Sequence, residues 1–284
     1  MYFCFLIEEQ YRNEYMPVAV ARKLKQWGHQ VDLLEPQATI TCLSDLSSTR
    51  YDAMILKTVS NGPGISLLEA AEAAGIPTIN SSRSIRLVRD KAVATTLASA
   101  RGIPMPRTYF VAHPQLLAQI PPDAYPLVVK PTDGSSCRGI YKINHPSELD
   151  ALQLIEAESS FLLAQHYEEN VGYDIKLYVI GKEVFAVAKR SPLHPEVKVN
   201  KQLIAIDSTL RELALQVGSY FGLDIYGLDI VETIAGPRVV DINDFPSFGQ
   251  VPHATQRLAN YIVHIARRRV QKRLRKTEPI ATAV

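Results

Sequence analysis

The sequence is short of cysteine, of glycine fingerprints and of long apolar runs, and each scarcity removes a class of protein. Its three cysteines, Cys4, Cys42 and Cys137, are an odd number without the paired spacing of a zinc site. Neither a disulfide-stapled scaffold nor a structural zinc module is therefore expected, and free thiols in a reducing cytoplasm are. No stretch approaches the roughly 20 apolar residues that span a bilayer. The opening MYFCFLIEEQ has no basic region and turns acidic at Glu8, unlike a secretory signal, so no membrane partner is expected. After the apolar run Tyr2 to Ile7 there is no G-x-G-x-x-G, which argues against a dinucleotide site there. Acidic residues are also missing from among Arg267, Arg268, Arg269, Lys272, Arg273, Arg275 and Lys276. Such a cluster can attract nucleic acid or an anionic surface, but it arises more often as the solvated end of a helix, and nucleic acid is not an expected partner.

What remains is an ordinary globular composition. At 284 residues with 46% hydrophobic and 21% charged, the chain can bury a full core and hold two or three lobes. Strand-like runs at Tyr2 to Ile7, Val31 to Leu34, Met54 to Lys57 and Pro77 to Ile79 alternate with helical patterns at 13–27 and 67–74. That alternation predicts an α/β lobe with a mostly parallel sheet over about residues 1–85. A helix is predicted over Ser84 to Ala100, a strand from Leu127 ending at Lys130, and a strand again at Ile140 to Ile143. Between these strands lies TDGSSCRG, a small-residue loop of the kind that can fold over phosphates and offer them N–H groups. A helix at Glu148 to Glu156, a strand at Phe161 to Tyr167, a hairpin around Gly181-Lys182, a helix at Ser208 to Phe221 and a last helix at Thr255 to Arg273 complete the reading.

The chemistry concentrates in YGLDIVETIAGPRVVDINDFPSFGQV, from Tyr226 to Val251. Two apolar runs flank Ala235-Gly236-Pro237, which predicts an antiparallel hairpin. Asp241 and Asn243, two apart, share a face, and the turn places Asp229 roughly across from them. Two carboxylates and an amide in a dry core would repel or go unsatisfied, whereas oxygen ligands of this kind suit Mg²⁺, particularly when it is shared with phosphates. The plainer possibility is a hairpin whose polar residues face water.

Taken in order, Asp90-Lys91, LVVKP with Lys130, the small-residue loop, LLAQHYEE, GYDIKLYVIG, GLDIVE and DIND resemble the ATP-grasp superfamily. Within it they are similar to the ribosomal-modification-type glutamate ligases and the lysine-biosynthesis amino-acid ligases. The resemblance implies an ATP-grasp fold of α/β type in three lobes: an N-terminal α/β lobe (1–85), a central lobe with the phosphate loop (86–165) and a C-terminal metal-binding lobe (166–284). It implies that Lys91 and Lys130 contact ATP phosphates, where a compact charge offsets repulsion. It also implies that the loop containing Gly134, Ser135, Ser136 and Gly139 covers them, and that Gln165, His166, Tyr167 and Glu168 pair with adenine. Asp174 resembles the acidic position near the ribose, Lys176 the basic residue following it, and Asp229, Asp241 and Asn243 the ligands of two Mg²⁺ ions. Many relatives carry Glu at the position of Asp241 and at that of His166.

The implied activity is ATP-dependent ligation of a carboxylate to an amine through an acyl-phosphate, in the cytoplasm. The acceptor segment departs from the glutamate ligases: KRSPLHPEVKVNK stands where they carry an Asn-x-His-x-Gly-Gly loop. Its cations, Arg190 foremost, suit an anionic small-molecule or peptide acceptor. The same segment and DINDFPSF are reminiscent of inositol phosphate kinases. A kinase of a polyol or inositol phosphate and a non-catalytic nucleotide- or nucleic-acid-binding protein therefore stay open as alternatives. Homo-oligomers are common among the resembling enzymes, but no interface is legible here.

Overall fold

The computed structural model describes residues 1–58, 62–132, 139–149 and 161–277, with side chains up to Gln271. Gly134, Ser135 and Ser136, and most of the helix expected at Glu148 to Glu156, lie outside the described residues. The chain forms two compact units, one comprising Met1–Thr58, Gly62–Arg83 and Ser247 onward, the other Ser84–Pro246.

In the first unit, strand β1 (Tyr2–Ile7) has Phe3, Cys4, Phe5 and Leu6 fully buried. A continuous apolar run is what a central parallel strand needs, because crossover helices cover both of its faces. Helix α1 (Tyr15–Gln26) turns Val20, Ala21 and Leu24 inward, and Gly28, at φ +81°, supplies the left-handed residue that stops it. Strands β2 (Gln30–Leu34) and β3 (Ala53–Lys57), helix α2 (Pro63–Ala73) and strand β4 (Thr78–Ile79) follow. The sheet order is β2-β1-β3-β4 with every pairing parallel, the α/β arrangement expected for this stretch.

The single helix expected from Ser84 to Ala100 is two: α3 (Ser82–Arg89) and α4 (Lys91–Ala100). The break is Asp90, whose extended backbone caps α4 while its carboxylate accepts from the N–H groups of Ala92 and Val93. The capping preference of Asp outweighs the helical periodicity around it.

The second unit holds two antiparallel sheets. One contains β5 (Thr108–Val111), β6 (Leu127–Pro131), β7 (Tyr141–Ile143) and β8 (Leu162–His166) in the order β5-β8-β6-β7. The other contains β9 (Asn170–Ile180), β10 (Glu183–Arg190), β11 (Gln202–Ile204), β12 (Ile225–Thr233) and β13 (Gly236–Asp244) in the order β11-β10-β9-β12-β13. Helix α5 (Ser208–Phe221) buries Leu210, Leu213, Val217 and Phe221 in one cluster with Leu177, Val179, Leu228 and Ile230 of this sheet. Each such side chain contributes about 1.5–3 kcal/mol, so the central strands β9 and β12 form a firm base for polar groups at their ends. The chain then returns to the first unit, where α6 (Ala254–Thr277) packs along α1 and buries Leu258, Ala259, Ile262 and Ala266. Among the described residues no helix is long and apolar enough to cross a membrane.

Candidate active site

The β12–β13 hairpin turns at Ile234-Ala235, with Thr233 opposite Gly236. Counted strictly from that turn, Asp229 would face Val240, and Asp241 would point to the opposite face of the sheet. A register shift between Asp229 and Ile230 prevents this: Ile230 pairs with Val239, Asp229 pairs with Asp241, and Val240 is left over. This one-residue bulge brings both carboxylates to one face. The Val240 carbonyl accepts a 2.7 Å hydrogen bond from Lys130 Nζ at the end of β6. Gly227 lies opposite Asn243, where a Cβ would stand 3.0 Å from the Leu177 carbonyl and 3.3 Å from Lys176 Cε, so a side chain there would displace the lysine stem.

Around this pair the charges interlock. Lys176 is next to Asp229 in the β9–β12 register, and its Nζ lies 2.6 Å from Asp229 Oδ2, which also accepts from Asn243 Nδ2 at 3.0 Å. Lys189 Nζ is 2.7 Å from Asp229 Oδ1, so each oxygen of this buried carboxylate faces a lysine. Burial by itself would raise the Asp229 carboxyl, but Lys176 and Lys189 outweigh it and hold the group below the usual carboxylate range. Asp174 shows the opposite balance: burial pushes it up, against the lowering influence of Lys189 at 3.8 Å and a hydrogen bond from Ser191. Lys91 Nζ stands 3.5 Å from Asp241 Oδ1. Just before it, Arg89 Nε donates to Asp244 Oδ1, tying the α3–α4 junction to the end of β13.

These groups open into one cavity of the second unit. It is lined by Lys91, Lys130, Gln165, His166, Tyr167, Glu168, Asp174, Asp229, Asp241 and Asn243, residues that lie far apart in the sequence. Lys176 acts from behind Asp229 and does not line it, nor does Gly139, which re-enters at φ +70° beside Pro131. Arg190 also lies outside the lining; it is exposed, and its guanidinium donates to the carbonyl of Pro195.

Three features stand elsewhere than the sequence reading had them, or were missed by it. Lys189, expected only among the cations of the acceptor segment, lines the cavity, and the hairpin register that pairs Glu183 with Ile180 places it directly opposite Asp174. Arg89 lines the cavity too. The third is the stretch Ser191-Pro192-Leu193, expected only as an acceptor loop, which forms a wall of the cavity that also holds Gln165 to Glu168. It is fastened there by His194, whose Nε2 meets the Tyr167 hydroxyl at 2.8 Å and whose Nδ1 meets Glu196 Oε1 at 3.1 Å. Lys142 Nζ covers the Tyr167 ring at 3.5 Å from its centroid. No spacing rule announces a Tyr–His contact across 27 residues.

The arrangement offers lysines for an anion, a carboxylate pair able to hold a hard cation, and the end of strand β8 along one wall. The N–H groups of His166 and Tyr167 are taken by the carbonyls of Arg107 and Pro126, at 2.7 and 2.8 Å. Among the described residues no group of three His, Cys, Asp or Glu forms a metal cluster, so a cation here would rely on two carboxylates and an amide.

Comparison with known proteins bears on the same region. Residues 88–263 match the model of the RimK-like ATP-grasp domain. A protein of Vibrio vulnificus (strain YJ016) named "Probable alpha-L-glutamate ligase" is 27% identical over 274 residues, covering 87% of this chain and 89% of its own. Among solved structures, the RimK domain protein ATP-grasp from Sphaerobacter thermophilus superposes with a TM-score of 0.74 at 18% identity, covering 92% of this chain and 99% of the other. The ATP-grasp ligase PsnB, complexed with precursor peptide PsnA2 and AMPPNP, superposes with a TM-score of 0.69 at 16% identity, covering 93% and 97%.

Proposed function

We propose a function from one premise: the chain belongs to the RimK-like ATP-grasp family. It is an ATP-dependent carboxylate–amine ligase. The observation that carries the residue-level reading is the bulged hairpin, which sets Asp229 against Asp241 in a cavity also lined by Lys91, Lys130 and Lys189. The nucleotide-binding halves are the two sheets of the second unit, with lobe boundaries near residues 86 and 166.

In this reading the adenine lies against Gln165 to Glu168. Among the described residues the Glu168 N–H has no hydrogen bond, so it is the donor available to a base. Asp174 serves the ribose. Lys91 and Lys130 receive the phosphates, with Gly134, Ser135, Ser136 and Gly139 covering them. Asp229, Asp241 and Asn243 supply a set of hard oxygen donors suited to a cation. Two Mg²⁺ ions held there would neutralise the phosphate oxygens as charge shifts in transfer. Lys176 holds Asp229 in its ionised form and fixes its direction.

A carboxylate oxygen of the acceptor attacks the γ-phosphorus, forming an O–P bond as the bond to the β-phosphate oxygen breaks and ADP leaves. The amine nitrogen then attacks the acyl carbon, the C–O bond to phosphate breaks, and the nitrogen loses a proton as the amide forms. Little side-chain acid–base chemistry is needed. Positioning and charge are, and the interlocked lysines and carboxylates provide both. We propose L-glutamate as a substrate and a peptide or small-molecule anion as its partner. Support comes from the name carried by the Vibrio relative, the precursor peptide bound by PsnB, and the cations at Arg190, Lys198 and Lys201.

The test is a turnover assay with Mg²⁺–ATP, glutamate and short acidic peptides, reading ADP and free phosphate separately. Equal ADP and phosphate, requiring both an acid and an amine, is the expected result. ADP without phosphate, together with a phosphorylated acceptor by mass, would overturn it in favour of a kinase.

A further inference from the structure

Two open cavities lie in the first unit, both between α1 and α6. The first, about 560 Å³, is bordered by Arg22, Lys23 and Gln26 of α1 and by His253 and Gln256 at the start of α6. The second, about 400 Å³, is bordered by Trp27, Asn260, His264 and Arg267. On α6 the bordering positions 256, 260, 264 and 267 are three or four apart, so they form a single stripe along one helix face, with His253 just before the helix. Lys23 of the first cavity stands with its Nζ 5.8 Å from the ring centroid of Trp27 of the second, so the two adjoin along α1 and are treated as one groove.

No aspartate or glutamate borders either cavity. Among the described residues Arg22 and Arg267 have no ion-pair partner, and Lys23 has only the Trp27 ring, with Nζ 5.8 Å from its centroid. Three permanent cations thus lie along the groove without counter-charge. Between them stand three amides, Gln26, Gln256 and Asn260, each able both to donate and to accept.

We propose that this groove binds an extended acidic polypeptide segment. Amides that donate and accept complement a peptide backbone, and the spaced cations complement its carboxylates. A nucleic acid fits less well, because its affinity comes chiefly from neutralised phosphates and three cations neutralise few of them. The residues of α6 that border the two cavities run from Ala254 to Arg267, which at about 1.5 Å per residue gives a groove of roughly 20 Å. An extended chain of about six residues has that length. The site requires neither ATP nor the reaction, so it stands or falls separately from the ligase reading.

The chain has one tryptophan, and it is Trp27 in the groove wall, so its fluorescence reports occupancy directly. Hexaglutamate is titrated into the full-length protein without nucleotide at low ionic strength. A saturable change in Trp27 emission that weakens as salt is raised is expected. The triple variant Arg22→Glu, Lys23→Glu, Arg267→Glu, read by calorimetry because Lys23 faces the fluorophore, should bind about ten-fold more weakly or worse. Lys25→Glu, on the outer face of α1 and not bordering the groove, should bind within about two-fold of the parent. Absence of any binding, equal binding of hexaglutamine, equal loss in the Lys25 variant, or tighter binding of an oligothymidine of similar length would each overturn the proposal.

Discussion

Two cation-bearing cavities of this protein differ in what neutralises them. In the cleft of the second unit, Lys176 and Lys189 are paired with Asp229, Lys91 with Asp241, and Arg89 with Asp244. In the groove of the first unit, Arg22, Lys23 and Arg267 face no carboxylate at all. A cleft whose charges nearly cancel suits a ligand that brings both signs, such as a nucleotide carrying its own metal ions. A groove of one sign suits a bare anion. The charge balance of a cavity therefore speaks to the composition of its ligand, where its shape does not.

The sharpest way to break this comparison is to unbalance the cleft. Asp241→Asn keeps the size of the side chain and removes the charge that faces Lys91. The pair is loose, at 3.5 Å, and partly open to water, so its loss should change stability by no more than about 1 kcal/mol. Turnover should nevertheless fall on the order of 10²-fold or more, the scale on which one preorganised charged group acts on a transition state. ADP release at several Mg²⁺ concentrations, alongside a urea melt, separates the two effects. Near-normal turnover would remove Asp241 from the metal site.

A smaller effect is expected where the cleft is closed by neutral contacts. If the Tyr167–His194 hydrogen bond holds Ser191 to Leu193 against the nucleotide, Tyr167→Phe and His194→Ala should each raise the KM for ATP by roughly five-fold, matching about 1 kcal/mol for one hydrogen bond. Because both remove the same contact, the double variant should be little worse than either single one. Additive losses would mean that the two side chains act apart.

How much of this was legible depended on whether a local rule governed it. The buried run of β1, the stop at Gly28 and the hairpin of β12 and β13 follow from periodicity and turn chemistry, and the sequence reading has them in place. The convergence of Asp229 with Asp241 was expected from the pattern, but its cause was not. Strict alternation would have put them on opposite faces, and only the bulge at Val240 reconciles them. Asp90 was hidden by the opposite failing, since a helical pattern ran straight through a cap. The groove was wholly illegible, because Arg22 and Arg267 are far apart in sequence and meet only through the packing of α1 on α6. The basic cluster near the C-terminus was visible, yet nothing in it indicates a partner helix.

The gentlest test concerns stability alone, and it sharpens the comparison from the groove side. A cation without a counter-charge contributes no attraction, and Arg22 stands on α1 beside Lys23 and three residues before Lys25. Arg22→Ala therefore removes repulsion and introduces a better helix former, at the cost of a little packing by the arginine stem. The expected change in unfolding free energy is within about 0.5 kcal/mol of zero, the range for a surface substitution away from any cap or network. Its sign should be stabilising and should shrink as salt screens the repulsion. Urea melts at low and high ionic strength measure this directly. A clear loss of stability that high salt relieves would reveal a counter-charge for Arg22, and the groove would then resemble the cleft.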